Sequence, residues 1–225
     1  FGLQMFDDLL LPGNTCGALL PGDTTVILAP LNVGKTTAML TVATANVLQK
    51  KHVLFLFHEG RKSDLQLKVL CNILKCSQME LPYRYKQSPD EVSKLLQLID
   101  KYLVMIPVFK PGLTVEEVEG VISRQFEEHT DRWGQGFDLI VDDYPAKLTT
   151  AAAKHGGFAW RNMQQYVYNY FVQIALQHHA HVLCAIQTNR EGSKINRQTK
   201  DANDYRLLTV EDVNESFGPM QDVAN

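Results

Sequence analysis

The chain has 225 residues, 45% of them hydrophobic and 21% charged, with 22 Lys and Arg against 25 Asp and Glu for a formal net charge of −3. That length suits one α/β domain, because a single core grows to roughly 250 residues before it splits, and the composition excludes global disorder. The charge excludes a protein that coats nucleic acid over its whole surface, so any such contact must come from local basic loops or from a ring-shaped assembly.

In chain order, residues 24–29 (TTVILA) predict a first strand and residues 36–49 a first helix. Between them runs Ala29-Pro30-Leu31-Asn32-Val33-Gly34-Lys35-Thr36-Thr37. A turn of this kind between strand and helix is the setting of a phosphate-binding loop, in which successive amides curl around phosphates and the helix N-terminus adds the positive end of its dipole. Residues 30–37, that is Pro30, Leu31, Asn32, Val33, Gly34, Lys35, Thr36 and Thr37, are therefore the candidate nucleotide contacts. Gly34 lets the backbone approach closely, Lys35 reaches the β- and γ-phosphates as a point charge, and the Thr36 hydroxyl goes to Mg²⁺. Ala29 stands where the pattern GxxxxGK[ST] has its first Gly.

Residues 52–57 predict a second strand that runs into His58-Glu59-Gly60. A Glu at the end of a strand adjacent to the first can polarise an attacking water; at a helix start it would serve only the dipole. His58 is expected to pack. Helices are predicted over 63–75 and 89–103, then a weak strand over 104–109 that Pro107 marks as an edge. The helix predicted over 115–129 starts with a capping box of Thr114 and Glu117.

A strand over 137–141 ends in Asp142-Asp143-Tyr144. An apolar strand ending in carboxylates can meet Mg²⁺ beside the Thr36 hydroxyl. Asp142 and Asp143 both qualify, and alternation along the strand must turn one of them away. Residues 147–157 read as a polar, mobile loop, followed by a helix over 158–177 and a strand over 181–186. The last strand leads into Gln187-Thr188-Asn189-Arg190, where Gln187 can bond a γ-phosphate and report its loss to a second polar loop, 191–206. Strands this rich in Val, Ile, Leu and Phe are buried on both faces. Alternating with helices, they make an α/β fold whose mostly parallel sheet is flanked by helices.

The four cysteines, Cys16, Cys71, Cys76 and Cys184, form no CxxC pair and read as free thiols in a reducing compartment. No apolar run reaches the ~18 residues that a membrane span needs. The opening FGLQMFDDLL lacks a signal-peptide layout and an initiator Met, so a soluble, cytoplasmic piece of a longer protein is expected.

The phosphate loop, Glu59, Asp143-Tyr144 and Gln187-Thr188-Asn189-Arg190 follow one another in an order that resembles the C-terminal RecA-like motor domain of DnaB-type (superfamily 4) replicative helicases. Leu20-Pro21-Gly22-Asp23 and the stretch from Val213 to Asn225 are similar to that family too. The resemblance implies a single RecA-like ATPase domain, C-terminally incomplete, using ATP and Mg²⁺. Glu59, Lys35 and Gln187 would be catalytic, and Thr36 with Asp143 or Asp142 would hold the metal. It implies single-stranded DNA as track, a hexameric ring of identical subunits, and primase and other replication proteins as further partners. Lys147, Lys154, Lys194, Arg197 and Lys200, in the two polar loops, are the candidate DNA contacts; each is equally readable as a solvated charge. Pro145-Ala146 departs from the family's Walker B run, and no arginine finger is assigned. A RecA- or KaiC-type or recombination-mediator ATPase that switches an assembly without unwinding is the alternative, with a small-molecule kinase a weaker one.

Overall fold

The computed structural model describes residues 20–30, 33–154 and 160–187. In chain order these form β1 (Thr24–Ala29), α1 (Lys35–Leu48), β2 (Val53–Phe57), α2 (Lys62–Leu74), α3 (Leu81–Gln87), α4 (Pro89–Tyr102), β3 (Leu103–Pro107), α5 (Val115–Trp133), β4 (Leu139–Asp143), a 3-10 turn (Pro145–Lys147), α6 (Ala151–Lys154), α7 (Trp160–His178) and β5 (His181–Gln187).

The five strands make one sheet in the order β1-β5-β4-β2-β3, with every pair parallel. Parallel pairing needs a crossover between consecutive strands, and the helices supply it on both faces. Alternation along each strand sorts the side chains. Phe55, Phe57, Leu139, Val141, Leu183 and Ala185 face Met39, Leu40 and Ala43 of α1, Leu65 and Val69 of α2 and Ile99 of α4. Leu54, Leu56, Ile140 and Val182 face Val118 and Ile122 of α5 and Val167, Phe171 and Ile174 of α7. Each such side chain, fully buried, contributes about 1.5–3 kcal/mol, so two continuous apolar layers fix the sheet between its helices.

The expected strands are all present. Pro107 ends β3, an edge strand that pairs only with β2. Three local expectations change. The strand expected over 137–141 is β4, two residues later, so Asp142 and Asp143 lie within the ladder rather than after it. Residues 147–157 are not a plain loop: Leu148 and Thr150 are buried, and the Thr150 hydroxyl accepts from the Ala153 amide at 3.0 Å to start α6. Helix α3 went unforeseen because none of its residues is buried and no apolar period betrays it.

The larger correction is strand order. β2 is not next to β1, as the reading of Glu59 assumed; β5 and β4 lie between them. No local feature of a strand encodes its neighbours once helical crossovers carry the chain over the sheet.

Candidate functional site

Register brings the strand ends together. Ala29 of β1 stands level with Gln187 of β5, and Phe57 of β2 with Asp143 of β4. All four ends therefore open on one edge of the sheet, the edge where parallel α/β sheets bind ligands. The His58 amide extends the β2–β4 pairing by donating to the Asp143 carbonyl at 3.1 Å, which sets Glu59 beside that strand end.

The turn from β1 enters α1 through Gly34, whose φ of 95° is a left-handed value that a side chain would strain. Its carbonyl accepts the first helical bond, from Ala38, at 2.9 Å. No side chain caps α1 and no acidic residue occupies its first turn. The leading amides of a helix have no partner inside it, so this end offers donors and a positive dipole to an anion. The Lys35 ammonium turns back over the loop, donating to the Pro30 carbonyl at 2.8 Å and the Ala29 carbonyl at 3.3 Å. Burial holds its pKa below the ordinary lysine value, against the opposing pull of Asp143 and Glu59.

A cleft of about 350 Å³ lies over this turn, lined by Gly34, Lys35, Thr36, Glu59, Asp143, Tyr144 and Gln187. The six of these expected from sequence thus share one cavity. Parity decides between the two aspartates. Asp143 shares its face of β4 with Val141 and Leu139, toward α1, and bonds the Thr36 hydroxyl. Burial raises the Asp143 pKa, the Thr36 bond opposes that, and the Asp142 and Glu59 charges add to it.

Asp142, a candidate metal ligand from sequence, points to the opposite face. It is fully buried there, and its Oδ1 lies 2.8 Å from Nε2 of buried His58. Burial of His58 disfavours its charge, but the charge and hydrogen bond of Asp142, with Asp143 behind, raise its pKa overall. This pair pins the ends of β2 and β4 together beneath the cleft. Asp142 is therefore corrected from metal ligand to partner of His58, because one residue along a strand reverses the face.

The remaining expectations divide. Pro30 lends its carbonyl to Lys35, Val33 is exposed, and Thr37 lines a separate surface cavity with Leu40, Thr41 and Lys68. Lys147, expected in a free loop, forms an ion pair with Glu59 instead. Leu31, Asn32, Lys194, Arg197, Lys200 and the Lys154 side chain lie outside the described residues. Sequence reading missed Tyr144 as a wall of the cleft. It also missed the His58–Asp142 and Lys147–Glu59 pairs, which join residues 84 and 88 positions apart. Cys71, Cys76 and Cys184 are free thiols, as expected.

The donor set suits a magnesium nucleotide. A hydroxyl hydrogen-bonded to a half-buried carboxylate supplies hard oxygen ligands, and Mg²⁺ commonly takes only one or two from the protein, with phosphate and water completing its shell. Among the described residues no group of three or more His, Cys, Asp or Glu could cage a metal alone, which agrees with that mode. Nor, among them, is any helix long and apolar enough to cross a membrane.

No protein-family model and no curated protein matches the sequence. Solved structures do. The chain superposes on the ATPase domain of a helicase with a TM-score of 0.69 and 17% identity, covering 90% of this chain and 67% of that one. Its fold is the RecA-like one of helicase ATPase domains. A DnaB-like replicative helicase, solved for its interactions with primase, matches with a TM-score of 0.67 and 16% identity over 91% of this chain. The match spans only 46% of that helicase. At such identities the likeness is one of fold, and the chemistry rests on the cleft itself.

Proposed function

We propose that the chain hydrolyses ATP with Mg²⁺ and is the motor module of a DNA helicase, working as a ring of identical subunits on single-stranded DNA. The observation that carries the catalytic part is the convergence of Lys35, Thr36, Glu59, Asp143 and Gln187 on one cleft above the uncapped start of α1. The uncapped amides and Lys35 bind the phosphates, Lys35 exchanging its carbonyl partners for phosphate oxygens. Thr36 and Asp143 hold the metal from one side. The bound Mg²⁺ supplies charge neutralisation to the phosphates. Glu59 orients a water and accepts its proton, and Gln187 bonds the terminal phosphate from the end of β5. The motor part rests on the fold likeness and the motif order, with primase a partner of the same reading.

Two measurements test this. Glu59→Gln should leave ATP binding intact while slowing turnover by about 10²-fold or more, the usual share of a positioned general base; unchanged turnover moves that role elsewhere. Strand displacement on a forked duplex, with and without ATP, then separates a motor from a nucleotide switch, and ATP hydrolysis without displacement by the assembled protein would favour the switch.

A further inference from the structure

Lys147 sits in the cleft's mouth for reasons the backbone makes plain. The 3-10 turn Pro145–Lys147 leaves β4 directly, and Leu148 behind it is buried. The Leu148 amide donates to the Pro145 carbonyl at 2.9 Å, and the Gln164 side chain donates to the Ala146 carbonyl at 3.4 Å. Thr149 bonds Leu113 and Val115 on either side of it, at 3.0 and 2.9 Å. The root of the lysine is thus fixed and only its tip is free to move. That tip lies 5.7 Å from the Tyr144 ring centroid and is paired to Oε1 of Glu59.

We propose that Lys147 is a positioning residue that latches Glu59, keeping hydrolysis slow until a phosphate of a single-stranded DNA backbone draws the lysine away. This rests on the nucleotide-hydrolysing reading of the cleft. A carboxylate paired to an ammonium has one oxygen engaged and is a poorer acceptor for the proton of a water. The pair is accessible, with side chains 36% and 67% exposed, so water and salt weaken it. A backbone phosphate offers the lysine a stronger, charge-assisted partner. Exchange therefore favours the phosphate, and it returns Glu59 to its water. Because the turn that carries Lys147 continues into α6, DNA contact and hydrolysis share one short segment.

The test uses the full chain with wild type, Lys147→Met, Lys147→Arg and the double variant Lys147→Met with Glu59→Gln. ATP affinity and steady-state turnover are measured with and without single-stranded oligothymidine. Lys147→Met should raise DNA-free kcat about two- to fivefold, the factor expected from losing an exposed ion pair, and leave KM for ATP unchanged. It should also shrink the stimulation by oligothymidine. Lys147→Arg should restore the low wild-type rate, and the double variant should show no rise at all. Unchanged DNA-free kcat in Lys147→Met overturns the latch. So does a raised KM with a lower kcat, which would put the ammonium on the nucleotide, and so does a wild-type rate that oligothymidine leaves alone. Failure of the wild type to bind ATP is a different result: it removes the reading of the cleft, and the latch falls with it. Should the Met variant fold poorly, Lys147→Gln carries the same expectations.

Discussion

Helix α5 begins on Thr114, whose hydroxyl accepts from the Glu117 amide at 3.2 Å while the Glu117 carboxylate accepts from the Thr114 amide at 2.9 Å. Helix α1 begins on Gly34, with no side-chain acceptor and no acid in its first turn. Both helices pack against the same sheet, on opposite faces. One end satisfies its orphan amides from its own sequence, and the other leaves them for something else. A capped α1 would be more stable by about 1 kcal/mol. The bare start is thus a local stability deficit at the one helix end that faces the cleft, as expected of a site kept open for an anion.

The largest break in the comparison is at α1. Lys35→Ala should weaken ATP binding about 10- to 100-fold, the loss expected of one charge-assisted contact, while folding stability shifts by less than about 1 kcal/mol. Equilibrium titration beside chemical denaturation separates the two, and retained affinity sinks the assignment of this loop. Thr114→Ala should do the opposite, costing about 1 kcal/mol of stability with ATP affinity unchanged. A smaller effect sharpens the contrast. Thr37→Glu places an acid in the exposed first turn of α1, which should stabilise the fold by about 0.3–1 kcal/mol through the dipole yet repel phosphate and lower ATP affinity. Stability and affinity rising together would mean that no anion binds there.

Both helix ends were legible because they are local: Thr114-x-x-Glu117 and Gly34-Lys35-Thr36 each carry their meaning within four residues. The strands were legible too, since buried parallel strands announce themselves as apolar runs. What the sequence left open is what long-range packing decides. Asp142 and Asp143 differ only in which face they take, and that follows from α1 lying over Val141 rather than Ile140. Lys147 and Glu59 meet because β4 lies beside β2, a neighbourhood no motif encodes. The segment after β4 looked like a mobile loop because KLTTAAAK is polar and small, but Leu148 anchors it.

The smallest effect at neutral pH comes from the other end of α5. His129 is buried against Phe137, ring on ring at 4.2 Å, and its Nε2 meets Nδ1 of buried His52. Two neutral imidazoles can share one proton across that contact, one donating and one accepting, whereas two imidazolium rings would set N–H against N–H. Burial first, then the charges of His52 and Arg132, hold the His129 pKa down to about 4. Burial lowers that of His52 as well. An unfolded histidine titrates near 6.5, so between about pH 6.5 and 4 the unfolded chain binds more protons than the folded one. Stability is therefore complete above that window and declines as pH falls through it. His129→Phe keeps the stack on Phe137 but removes the proton site, so its stability should fall less steeply across the same range. Urea unfolding at a series of pH values reads both slopes, and equal slopes in the two proteins would assign the acid sensitivity to other groups. ATP affinity near neutral pH should not differ between them, because this pair lies at the opposite end of β2 from Glu59.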